Sequence, residues 1–143
     1  APDEIKAACN ILDACISHIY HQRMLEVRNL DTAQQIEKYI NDNIAWDLSI
    51  EHLCAHFSVS RAELYQIFHT SFNSSVADYI RSKRIAMAEQ MIRTTAMQIS
   101  EIAANVGFYD YNYFSKVFHR KFGCSPREYR KNLESSEEEA EKK

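Results

Sequence analysis

The chain carries one stretch twice. Ile50 to Val59 lines up with Ile99 to Phe108 at an offset of 49 residues. After one extra residue in the second copy the offset becomes 50. Leu64, Ile67, Phe68, His69, Phe72, Asn73, Ser75 and Tyr79 then answer Phe114, Val117, Phe118, His119, Phe122, Gly123, Ser125 and Tyr129. Each copy reads as a short apolar helix, a tight turn and a second helix with an open polar face, the layout of a helix-turn-helix. Two such units in one chain imply reading of duplex DNA at two places.

The rest of the chain must be compatible with that repeat, and it is. An apolar content of 45% supports a core, and the only breakers are Gly107, Gly123, Pro2 and Pro126. Helical apolar periodicity with so few breakers predicts an all-α fold. No apolar run approaches the roughly 18 residues of a membrane span. No signal peptide is visible, and a start at Ala1 without Met suggests an excised fragment or a processed end.

A net charge of −3 argues against a DNA binder only until it is divided along the chain. The acidic end, residues 134–143, accounts for −3 by itself, whereas Ser58 to Leu133 carries 11 Lys or Arg against 6 Asp or Glu, a balance of +5. Both candidate recognition helices lie in that basic half, and duplex DNA draws much of its affinity from phosphate neutralisation.

Cys9, Cys15, Cys54 and Cys124 form no CxxC pair, and Cys54 takes the small position matched by Ala103. This predicts packing cysteines in a reduced, cytoplasmic protein. His52, Cys54 and His56 invite a zinc reading. On a helix, however, His52 and His56 share a face while Cys54 points away from it. His18 and His21 are no better placed. No metal, cofactor or catalytic residue is expected.

Ile5, Ala8, Leu12, Cys15 and Ile19, widened by Cys9 and Ile16, predict an amphipathic helix from about Asp3 to Leu25. Its stripe can serve as a homodimer surface through residues 5–19, or pack on its own domain or on a sensor domain elsewhere. Asp31 is placed to cap a separate helix to about Asn43. Ser49 and Ser60 cap the two helices of the first unit, the second of them Arg61–Phe68. A long helix is expected over residues 76–92. Gly107 can take the positive φ the second turn demands, and Ser58 does so less comfortably. Asp110 caps helix Tyr111–Phe122, Gly123 ends it, and Ser125-Pro126 starts a last short helix. From Glu134 onward the chain reads as a frayed acidic tail. The domain division is therefore 1–28 amphipathic linker helix, 29–133 DNA-binding domain, and 134–143 acidic tail. Within the domain the units fall at about 49–70 and 98–122.

The apolar residues of each recognition helix belong to the core, so the outward ones remain for DNA. Ala62, Tyr65 and Gln66 in the first, and Tyr111, Asn112, Ser115 and Lys116 in the second, are the candidate base readers. Gln and Asn can bond adenine bidentately, Lys can reach guanine, and Ala can touch a thymine methyl. Arg61, His69, Arg81, Lys83, Arg84, His119, Arg120 and Lys121 suit phosphates. Arg84 can instead lock the long helix to its neighbours. Seventeen linking residues span about 26 Å, against about 34 Å between successive major grooves on one face. DNA bending, or loose engagement of one unit, is expected.

The residues from Ile99 to Ala103, then Val106-Gly107-Phe108, Tyr113 to Phe118, Phe122-Gly123, Ser125-Pro126 and Tyr129-Arg130 closely resemble the signature of AraC/XylS-type transcription regulators. Leu53, Ser60, Leu64, Phe68, Tyr79, Arg84 and Ala88 match the upstream half. The resemblance covers about Ile36 to Lys131. It implies a bacterial, sequence-specific DNA-binding domain of two homeodomain-like units joined by a long helix. It also implies transcription activation through RNA polymerase, and in many members a separate effector-binding domain. Cys54 stands where Ala is usual and Asn73 where Gly is usual. Ala62 is short, which makes the first unit the weaker base reader. The rival reading is a helical protein-interaction module that keeps the fold without reading DNA. No nucleophile–base constellation or phosphate-cradling glycine loop suggests an enzyme.

Overall fold

The computed structural model describes residues 2–143. The described residues form seven α-helices and no strand: α1 Pro2–Asp42, α2 Ile50–Phe57, α3 Arg61–Ile67, α4 Val76–Thr94, α5 Ile99–Asn105, α6 Tyr111–Phe122 and α7 Pro126–Glu141. A π-helical turn, Phe68–Phe72, extends α3. Among the described residues no helix is long and apolar enough to cross a membrane.

Two cores sit on either side of α4. Ile36, Ile40, Leu53, Leu64 and Phe68, all fully buried, anchor the first. Ile85, Ala88, Ile102, Val106, Phe114 and Phe118 anchor the second. The first core closes apolar residues of α1, α2, α3 and α4, the second those of α4, α5 and α6, and truncating one of their buried phenylalanines costs about 3–5 kcal/mol. The α4 residues divide between them: Val76 and Ile80 go to the first, Ile85, Ala88 and Ile92 to the second.

The repeat is deeper than the sequence alignment. Ile36, Glu37 and Ile40 of α1 correspond to Ala88, Glu89 and Ile92 of α4 at an offset of 52. The Tyr79 hydroxyl donates to Glu37 at 3.3 Å and the Tyr129 hydroxyl to Glu89 at 2.6 Å. Each unit is thus three helices tied by a tyrosine of the helix that follows. Partial burial and the facing Glu37 carboxylate push the Tyr79 phenol up to about 12. The hydrogen bond to Glu89, with burial, raises Tyr129.

Three elements differ from expectation. The two helices foreseen before Asn43 are one, α1. Residues 26–31 contain no glycine or proline to release the backbone ladder. Asp31 therefore caps nothing, and its carboxylate accepts from Gln35 one turn on, at 3.3 Å. The Thr32 hydroxyl likewise donates to the Arg28 carbonyl one turn earlier, at 2.9 Å. The boundary expected at residue 28 falls inside this helix, at the point where burial begins: Asp3 to Arg28 are all exposed and Ala33 is buried. At the other end α7 is neither short nor frayed. A full capping box, Ser125 with Glu128, and Pro126 at its start launch it. No breaker follows, so its exposed acidic residues remain helical to Glu141. Finally, α3 ends at Ile67 and passes into the π turn, where the Asn73 N–H reaches the Phe68 carbonyl.

Candidate nucleic-acid interface

Both turns have the predicted left-handed residue. Ser58 lies at φ 53°, and Gly107 at φ 95°. Ser60 accepts from the Glu63 N–H and opens α3, while Asp110 accepts from the Asn112 and Tyr113 N–H groups and opens α6. These caps set where each outward face begins, because the first turn of a helix has no backbone acceptors of its own for those donors.

On α3 and the π turn that extends it, Ala62, Tyr65, Gln66 and His69 are exposed, opposite the buried Leu64, Ile67 and Phe68. Gln66 also borders a groove of about 440 Å³ between α3 and the α1 residues Gln22, Glu26 and Asn29. On α6, Asn112, Lys116, His119, Arg120 and Lys121 are exposed, while Tyr111 and Ser115 are half-buried. Tyr111 leans on Phe114, ring centres 6.2 Å apart. Ser115, Lys116, His119 and Arg120 share one shallow depression with Ser125. The second unit thus gathers its polar side chains more tightly than the first.

Several basic residues already have partners. Arg61 pairs with Glu51 across the first turn. Arg81 bonds Asp78 at 2.9 Å, and Lys83 bonds Glu37 at 3.3 Å while lying 5.4 Å above the Tyr79 ring. These pairs are wholly or partly exposed and cost little to exchange for phosphate. Arg84 is different. Its Nε donates to the Ile44 carbonyl and its Nη2 to the Trp46 carbonyl, each at 3.0 Å. Burial lowers its pKa, against the opposing pull of Tyr109 and Asp47. Its contacts are those of the locking alternative, holding the α1–α2 loop to α4.

Arg130, named in the sequence only as part of the family signature and given no role there, is a second clamp. It donates to the carbonyls of Ile92, Thr95 and Met97 at 2.6–3.4 Å, closing the C-terminal end of α4. Its acceptors are backbone atoms more than thirty residues away, so no side-chain pattern announces it. The units face a cleft of about 660 Å³ lined by Trp46, Arg81, Arg84, Phe108, Tyr109 and Tyr113, among others. His52 and His56 share a face as expected and spend it on Tyr39. The Tyr39 hydroxyl lies 2.7 Å from His52 Nε2, and its ring stacks on His56 at 4.1 Å. Among the described residues no group of three or more His, Cys, Asp or Glu is placed to hold a metal.

Residues 53–132 match a family model described as a helix-turn-helix domain. The regulatory protein SoxS of Escherichia coli is 34% identical over 104 residues, covering 68% of this chain and 97% of SoxS. The transcriptional activator RhaR of Cronobacter sakazakii is 33% identical over 100 residues, covering 70% of this chain but 35% of RhaR. The chain thus spans only about a third of that longer relative. Among solved structures, the C-terminal domain of the response regulator yesN from Fusobacterium nucleatum superimposes with a TM-score of 0.66 at 28% identity, covering 70% of this chain and 98% of that one. The DNA-binding domain of AdpA, solved in complex with a target DNA, shares the fold with a TM-score of 0.70 at 20% identity, covering 73% and 94%. With the fold, the paired turns and the matched cores in agreement, the chain belongs to the AraC/XylS-type helix-turn-helix family of transcription regulators.

Proposed function

We propose that the chain reads duplex DNA in two successive major grooves and acts in bacterial transcription regulation, as an activator that contacts RNA polymerase. The observation that carries the reading is the pair of outward polar faces on α3 and α6, each set after a matching buried core and a left-handed turn. Base reading falls to Ala62, Tyr65 and Gln66, and to Tyr111, Asn112, Ser115 and Lys116. Phosphate contact falls to Arg61, His69, Arg81, Lys83, His119, Arg120 and Lys121, with Arg84 serving first as a lock. Residues 29–133 are the DNA-reading part, residues 1–28 a linker to a second chain or to an effector-binding domain, and residues 134–143 an acidic appendage. Pairing of two chains through residues 5–19 and a cytoplasmic place beside the chromosome belong to the same reading.

The ruler remains short. The 19 residues of α4 span about 28 Å at 1.5 Å each, below the roughly 34 Å groove repeat. Bound DNA should therefore bend toward the protein, or one unit should engage loosely.

The test is anisotropy of the chain with a labelled random duplex, and with a duplex selected from a random pool, across salt concentration. Affinity should fall steeply and linearly on a log–log plot as counterions are released, and the selected duplex should be preferred. No binding to either duplex at low salt would replace this reading with that of a protein-interaction module.

A further inference from the structure

We infer that the cleft between the two units is a third DNA-contacting surface, in which Trp46 and Tyr109 hold the sugar–phosphate backbone that crosses from one major groove to the next. The inference rests on the two-groove reading above and adds a contact that neither reading helix makes.

The walls of the cleft lie beside the starts of both reading helices. On one side Ser49 lines it and caps α2. Glu51, in the first turn of α2, pairs with Arg61, the first residue of α3. On the other side Asp110 lines it and caps α6. Arg81 and Arg84 of α4 complete the lining. A duplex that engages the outward faces of α3 and α6 in successive major grooves carries its intervening backbone past this opening.

Trp46 and Tyr109 stand in the cleft yet are 71% and 91% exposed. Neither belongs to a core, so folding gains little from either ring. Their backbones are nonetheless held. Arg84 donates to the Trp46 carbonyl at 3.0 Å. Tyr109 follows Phe108, which is buried and whose N–H donates to the Ala103 carbonyl at 2.9 Å. Each ring is thus a large side chain projecting from a fixed point. The indole N–H and the phenol can donate to phosphate oxygens while the rings lie against sugars. Arg81 adds a positive charge at the same opening. The two carboxylates that line it are turned to their own caps and turns. Asp110 accepts from the Asn112 and Tyr113 N–H groups, and Asp47 from the N–H and hydroxyl of Ser49. A backbone contact of this kind sets where the two units sit on the duplex and carries no base preference.

Trp46 is the only tryptophan of the chain, so its emission reports on the cleft. The full chain is titrated with a random duplex and with the selected one, following DNA anisotropy and Trp46 emission together. We expect saturating duplex to change the emission and to shield Trp46 from acrylamide. Ethylation interference on the selected duplex should reveal phosphates midway between the two grooves. Trp46→Ala and Tyr109→Ala should each weaken both duplexes about fivefold, the loss of roughly one hydrogen bond. The salt slope should not change, because neither side chain is charged, and the melting of both variants should stay that of the parent. The shielding and the interference pattern need no variant. A Trp46 left unshielded in the saturated complex, or interference confined to the two grooves, overturns the cleft contact and leaves the two-groove reading standing. Variants that bind as the parent does overturn it equally. Weakening of the selected duplex alone overturns the backbone assignment and makes the two residues base readers. A parent chain that binds no duplex overturns both readings.

Discussion

A Cβ added at Gly107 would stand 2.8 Å from Nε of Arg84 and 2.7 Å from the Ile44 carbonyl that this Nε bonds. The second turn therefore touches the clamp that holds the first unit to α4, and the two units meet at a position where only a hydrogen fits. Gly107 also sits at φ 95°, where any side chain is strained.

Gly107→Ala and Gly123→Ala separate those two effects. Gly123 has φ 79° but open space around its missing Cβ. Gly123→Ala should cost about 1 kcal/mol, the left-handed penalty alone. Gly107→Ala should cost roughly 2–4 kcal/mol, because overpacking against a backbone carbonyl is added to it. Chemical denaturation of both variants measures the difference, and equal losses would mean that the Arg84 clamp yields freely.

Arg84→Ala should destabilise the fold by about 1–3 kcal/mol, since two loop carbonyls lose a charged donor. The slope of log affinity against log salt should stay that of the parent chain. A slope smaller by about 1 would show that Arg84 neutralises a phosphate.

Lys116→Ala and Arg120→Ala lie in one depression on α6 but should behave differently. Losing a base-edge contact costs about 1–3 kcal/mol of discrimination, so Lys116→Ala should change which duplex is preferred. Arg120→Ala should weaken every duplex with preference kept. Affinities for the selected site, its single-base variants and random duplex decide it. Uniform weakening by both substitutions would remove Lys116 from the base readers.

Tyr79 supplies a pH signature. Its folded-state pKa is raised to about 12 from an ordinary 10.0, so the folded chain holds this proton more tightly than the unfolded one. The associated stability is complete below pH 10 and is lost as pH climbs through 12. Tyr79→Phe should lower stability by about 1 kcal/mol at neutral pH and flatten the alkaline decline between pH 10 and 12. An unchanged alkaline slope in this variant would assign the decline to other groups.

The sequence alone determined what depends on neighbours within a turn or two. Leu64 and Phe68, like Phe114 and Phe118, mark their helices' inner faces by spacing, and Ser60, Asp110 and Ser125 announce their caps. Gly107 declares a left-handed turn because an L side chain is penalised there whatever surrounds it. The outward residues of α3 and α6 follow from the same periodicity by subtraction. Continuity of α1 is equally local in origin, yet Asp31 suggests a cap where there is none, since a capping residue is also a permissible interior one. Tertiary structure alone decided the ties that span about forty residues: Arg84 to Ile44, Tyr79 to Glu37, Tyr129 to Glu89 and Arg130 to Ile92. A backbone carbonyl has no residue signature, and the offset between repeats shifts from 50 to 52 at the first helix. Such partners become visible only when packing of the two cores brings the chain segments together.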